Sequence, residues 1–143
     1  MKKNSCFIVR LVVAFALLLA VNVVANADNT VTLRKGGSIV AKIESNGDVR
    51  IGGSIKGKFE KNGDIRVNGS IEGKIESNGD IRKKGMIVGK IESNGDVRIK
   101  GSIVGKIESN GDVRKSGTII GKAEQMEDCR RVAVMYFFDF FKF

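Results

Sequence analysis

The chain has 143 residues, 18 of them Gly, and no Pro, His or Trp; its 25 Lys and Arg against 16 Asp and Glu give a net charge of +9. That length holds one domain, and so much Gly speaks against a helical one. Without His, a Ser or Cys nucleophile lacks its commonest base and the usual His-containing zinc sites are excluded.

Residues 1–27 read as a secretory signal peptide, with Lys2, Lys3 and Arg10 ahead of an apolar run from Leu11 to Val21 and small residues at Ala25 and Ala27. The run is 11 residues long, and a spanning helix needs about 20. Cleavage after Ala27 leaves 22 basic and 16 acidic residues, a net charge of +6. Export to the periplasm, the cell envelope or the extracellular space is therefore expected. Cys6 leaves with the peptide, so Cys129 is expected as a single buried thiol with no partner in its own chain.

Residues 28–121 form the repeat domain. KIESNGDVRIGGSIKG (42–57) is followed without a gap by KFEKNGDIRVNGSIEG, KIESNGDIRKKGMIVG, KIESNGDVRIKGSIVG and KIESNGDVRKSGTIIG, five units of 16 residues, and a degenerate shorter copy, VTLRKGGSIVA from Val31, makes six. Each unit carries two turn signals. Asn-Gly between β-like stretches is a strong hairpin signal, because both residues accept positive φ at little cost. Side chains alternate faces along a strand, so parity selects the loop length. A three-residue Ser45-Asn46-Gly47 loop sets Ile43 opposite Val49. A three-residue Ile51-Gly52-Gly53 loop likewise sets Val49 opposite Ile55 and Arg50 opposite Ser54.

About twelve strands result. The expected inward set is Leu33, Val49, Ile65, Ile81, Val97 and Val113, with Ile39, Ile55, Ile71, Ile87, Ile103 and Ile119, completed by Ile43, Phe59, Ile75, Ile91 and Ile107. Asp48, Arg50, Lys42, Glu44 and their equivalents fall outside as a mixed-charge face. Such interleaving lacks the basic stripe with stacking rings that nucleic acid requires.

Residues 122–143 break the pattern. Five of the eight Phe stand in the last seven residues, and a helix over 132–143 would be apolar on nearly every side, so it must be buried in protein or lipid. Twelve strands enclose more space than their own side chains fill. The C-terminal hydrophobic helix is therefore expected as a central plug, with Gly57, Gly73, Gly89, Gly105 and Gly121 admitting Phe rings to the wall. An interfacial membrane anchor flanked by Arg130 and Arg131 is the competing reading.

GDIRxxGxIxGKIE repeats followed by an aromatic-rich C-terminus resemble the β-flower proteins, over about residues 31–143. The resemblance implies a shallow symmetric barrel of short hairpins around a hydrophobic centre, and a distant similarity to Tubby C-terminal-like barrels, which surround a hydrophobic helix. The GxIxG-rich repeats also resemble bactofilins, cytoplasmic polymer-forming β-helices. The signal peptide, the Asn-Gly turns and the Phe-rich terminus depart from that pattern.

The fold reading is therefore all-β: a closed shallow barrel of about six hairpin repeats plugged by the terminal helix, with a β-helix solenoid as the alternative. No catalytic, cofactor-binding or metal-binding residues emerge. Asp48, Asp64, Asp80, Asp96 and Asp112 offer one carboxylate per unit beside an Arg and read as turn residues, not calcium ligands. The expected role is a non-enzymatic binding or structural module at the cell envelope, monomeric when plugged. Lipid headgroups or polysaccharide are its expected partner classes. The alternatives are a polymer-forming bactofilin-like scaffold and a peripheral lipid-binding protein.

Overall fold

The structure, a computed structural model, describes residues 29–143, and the signal-peptide reading of residues 1–27 lies outside the described residues. Twelve strands follow in chain order: Val31–Lys35 (β1), Ser38–Ile43 (β2), Asp48–Ile51 (β3), Ser54–Phe59 (β4), Asp64–Val67 (β5), Ser70–Ile75 (β6), Asp80–Lys83 (β7), Met86–Ile91 (β8), Asp96–Ile99 (β9), Ser102–Ile107 (β10), Asp112–Lys115 (β11) and Thr118–Glu124 (β12). Each pairs antiparallel with its chain neighbours, and β1 closes on β12 through Thr32 with Glu124, Leu33 with Ala123 and Arg34 with Lys122. The barrel is closed, as the all-β reading expects. The β-helix alternative is not formed, because two turns per unit reverse the chain after every strand, and reversal gives antiparallel pairs.

The Ser-Asn-Gly turns have the expected three-residue loop. Ile43 faces Val49 and Lys42 faces Arg50. Gly47 has φ +97, and its carbonyl accepts from the Phe59 amide at 2.9 Å. A Cβ there would collide with the Phe59 main-chain oxygen, so the position needs Gly for contact as well as for φ.

The second turn differs from the expected three-residue loop. It holds two residues, Gly52 and Gly53, at φ +63 and +86, with Ile51 opposite Ser54. Two consecutive positive φ angles give the turn whose twist matches the flanking strands. The odd residue is absorbed one step later, where Val49 faces Gly57 but Arg50 faces Ile55, leaving Lys56 as a bulge. The bulge exchanges the faces beyond it. Ile39, Ile55, Ile71, Ile87, Ile103 and Ile119, expected inside, accordingly stand about half exposed (49–54%). Val40, Val88, Val104 and Ile120, the residues after them, pack against the core instead.

The rest of the inward set is as read. Leu33, Val49, Ile65, Ile81, Val97 and Val113 form a fully buried belt, one per unit, and Ile43, Phe59, Ile75, Ile91 and Ile107 lie buried with it. Inside the belt packs a helix, Cys129–Phe137 (α1), whose Val132, Ala133, Val134 and Met135 are buried. Asp128 caps it, accepting from the Arg130 amide at 2.9 Å. Residues 122–124 belong to β12, and the helix, expected over 132–143, starts earlier, at Cys129, and ends earlier, at Phe137. Cys129 is buried, as expected, but it is not a free thiol.

The helix stops at Phe137 for a packing reason. A Cβ on Gly121 would stand 2.6 Å from a Tyr136 ring carbon, on Gly105 2.6 Å from Phe137, on Gly73 2.6 Å from Phe140 and on Gly57 2.5 Å from Phe141, while Phe138 lies against Gly89. Successive rings of the tail thus meet successive repeats around the barrel. An α-helix turns about 100° per residue, out of step with six units in a ring. The chain leaves the helix, and Asp139 at φ +56 and Lys142 point to solvent between buried rings. Phe143 then meets Tyr136 edge-on, with centroids 5.5 Å apart, and completes the circle.

Candidate interaction surface

The closed ring has two unlike rims. One carries the three-residue turns of β2–β3, β4–β5, β6–β7, β8–β9 and β10–β11, Lys-Asn-Gly at β4–β5 and Ser-Asn-Gly at the others; the other carries the six two-residue tips. Each Ser-Asn-Gly rim unit is self-contained. Asn46 Oδ1 accepts from the Asp48 amide at 2.9 Å, and Asn46 Nδ2 donates to Asp48 Oδ2 at 3.2 Å. Lys90, Lys106 and Lys122 reach Asp80, Asp96 and Asp112 at 3.6, 3.5 and 3.3 Å. The Lys122 contact holds the Asp112 carboxyl below the usual carboxylate range. These carboxylates are turn and ion-pair residues, and among the described residues no three His, Cys, Asp or Glu side chains gather as metal ligands.

At the tips, one arginine per unit ties the two rims together. Arg66 Nε bonds Glu60 at 2.5 Å while its Nη1 donates to the Gly69 carbonyl at 3.0 Å. Arg34, Arg50, Arg82, Arg98 and Arg114 repeat the pair with Glu124, Glu44, Glu76, Glu92 and Glu108. Every pair is partly exposed and contributes little singly. Its geometric effect is to hold the tip carbonyl in place and to consume the arginine charge.

The tips differ from the rest of the surface. Segments 34–40, 50–56, 66–72, 82–88, 98–104 and 114–120 hold twelve Lys and Arg and one acidic residue, Glu72. They also carry the six half-exposed isoleucines and Met86, 70% exposed. Adjacent tips diverge, leaving grooves such as one of about 520 Å³ between Ile87–Val88 and Ile99–Lys100. Sequence reasoning placed these isoleucines in the core. The signal that locates them outside is the two-residue turn ending in Gly, which is accompanied by the bulge. It is most legible at the Gly-Gly and Asn-Gly tips (36–37, 52–53 and 68–69) and not at the Lys-Gly and Ser-Gly tips (84–85, 100–101 and 116–117).

Inside the tip rim, the aromatic tail is tied down. Lys83 Nζ donates to the carbonyls of Phe138 and Asp139 at 3.3 and 3.1 Å and lies 5.0 Å from the Phe140 ring centroid. The Tyr136 hydroxyl donates to the Arg34 carbonyl at 2.7 Å, and burial pushes its pKa up to about 12. At the opposite mouth, a cleft of about 290 Å³ is lined by Ile43, Glu44, Asp128 and Arg131. Arg131 stacks 5.5 Å from the Phe59 centroid, and burial lowers its pKa. Nothing there pairs a nucleophile with a base.

The sequence model of the bactofilin family, described as polymer-forming cytoskeletal, matches residues 49–128, more than half of the chain. The chain belongs to the bactofilin family. Comparison with curated proteins and with solved structures finds no match. The bactofilin match runs from β3 through β12 to the cap of α1, so it takes in five of the six tips and omits β1, β2 and the aromatic tail. The family description, polymer-forming cytoskeletal, is that of a structural protein.

Proposed function

We propose that the protein is a non-enzymatic scaffold that assembles from copies of itself, exported to the cell envelope. The bactofilin match, with its polymer-forming description, carries this reading. A closed ring exposes no unpaired strand edge, so assembly proceeds through side-chain contacts between barrels and not through added strands. The repeated, near-identical outer face suits it, because equivalent sites around a ring let one contact recur. We also read the architecture as a β-flower barrel, supported by the hairpin tips and by the hydrophobic helix inside the ring.

A second reading is a monomeric binding module, favoured by the closed ring and by a tail whose rings are buried internally. Light scattering coupled to size exclusion separates the two. Large or filamentous species, visible by negative-stain microscopy and dissolving on dilution, support the scaffold; a stable particle of single-chain mass at every concentration refutes it. Mass spectrometry of protein recovered from expressing cells tests export, with a chain starting at Asp28 expected and an intact Met1 or Lys2 terminus contrary to it.

A further inference from the structure

We propose that the six hairpin tips are a docking surface for an anionic lipid bilayer, a property separate from self-assembly. Charge accounting singles the tips out. The six tip arginines are paired with glutamates, and the Asn-Gly-Asp rim largely pairs its own aspartates with lysines. What is left at the tips is six lysines and Glu72. Lys84 meets Glu72 at 3.8 Å. Lys35 and Lys83 rest on tail carbonyls and rings. Lys56, Lys100 and Lys115 have no acidic partner within ion-pair distance among the described residues. The tail adds Asp139 and Lys142, which cancel, and the unpaired balance stays positive.

The same segments hold the exposed apolar residues. Six isoleucines at about half exposure, with Met86 at 70%, lie within two residues of the tip glycines. Aliphatic side chains beside lysines suit the boundary between headgroups and acyl chains, where insertion and charge attraction add. The tips carry no aromatic ring, so they lack the stacking platforms on which single-stranded nucleic acid binds. A second copy fits less well: tip against tip sets lysines against lysines, and on the opposite rim Asp48, Asp80, Asp96 and Asp112 already pair with lysines.

The chain has no Trp, so one introduced indole reports its own surroundings. The full chain carrying Ile87→Trp, and separately Ile55→Trp, reports the tips; Ser93→Trp reports the opposite rim. Each is mixed with phosphatidylcholine vesicles, with and without about one-third phosphatidylglycerol. The tip reporters are expected to shift to the blue and be quenched by brominated acyl chains on the anionic vesicles alone, with Ser93→Trp unchanged. Lys100→Glu with Lys115→Glu, added to Ile87→Trp, is expected to weaken the response about tenfold or more. Because the reporter sits on the tip, binding by the N-terminal apolar run alone leaves it silent. An unmoved tip reporter, a response confined to Ser93→Trp, or a tip shift that needs no vesicles and grows with protein concentration overturns the proposal, the last by assigning the tips to a second copy.

Discussion

Ile65 and Ile71 lie six positions apart in one hairpin and show what a single backbone bulge does. Ile65 is fully buried, and Ile71 is about half exposed. Ile65→Ala should therefore cost about 2–5 kcal/mol, whereas Ile71→Ser should stay within about 1 kcal/mol. Urea denaturation followed by circular dichroism reads both, and equal losses would place Ile71 in the core after all. Strand alternation made Ile65 legible from sequence alone. It misplaced Ile71, because parity can be satisfied either by a longer loop or by a bulge, and alternation cannot distinguish them. Turn chemistry can: Gly52-Gly53 and Asn68-Gly69 accept two positive φ angles in a row, which fits the two-residue loop. The wall glycines were legible for a different reason, since their spacing matched the bulk of the tail. Gly73→Ala tests that match. Its Cβ would stand 2.6 Å from two ring carbons of Phe140, with the Arg82 carbonyl closer still. An expected loss of about 1–3 kcal/mol follows from overpacking, measured in the same urea titration.

At the scale of elements, α1 and the tail act as one inserted unit. Val132, Val134, Phe138, Phe140 and Phe141 are buried, and each such side chain contributes roughly 1.5–3 kcal/mol on burial. Removing them exposes the fully buried belt, whose residues lie on strands too short to cover it. A chain ending at Glu127 is therefore expected to lose its cooperative unfolding transition and to aggregate; unchanged circular dichroism and an unchanged urea midpoint would mean that the strands hold the ring unaided. The need for burial was legible in the tail's composition. The break at Phe138 was not, because nothing in the tail marks it locally: it arises from the mismatch between helical rotation and the angular spacing of the units. The candidate surface was hidden for a related reason. Its lysines were visible as charges, but their surplus becomes clear only once the pairs that consume the arginines are known.

The whole molecule counts its own repeats. Tyr136, Phe137, Phe138, Phe140 and Phe141 seat on Gly121, Gly105, Gly89, Gly73 and Gly57, one ring to a unit, and Phe143 returns to Tyr136 at the β1–β12 seam. Lys35 on β1 donates to the Phe143 main-chain oxygen at 3.4 Å, and Tyr136 bonds Arg34 on the same strand. Closure and the end of the tail are thus fastened at one place. Deleting residues 74–89 removes a unit and leaves the tail unchanged. Barrel diameter grows with strand number, so ten strands leave less room for a tail whose rings now outnumber the wall glycines. The seam should then fail to close. Tyr136 reports it, being the only tyrosine. Its pKa is about 12 in the closed ring, against about 10 for an unburied phenol. With the folded value raised, its stabilising contribution is complete below about pH 10 and is lost as pH rises through the folded pKa. Phenolate absorbance should give a midpoint near 12 for the parent chain and close to 10 for the deletion. A deletion chain that keeps the high midpoint and the parent's urea midpoint would show that the ring closes without regard to the tail.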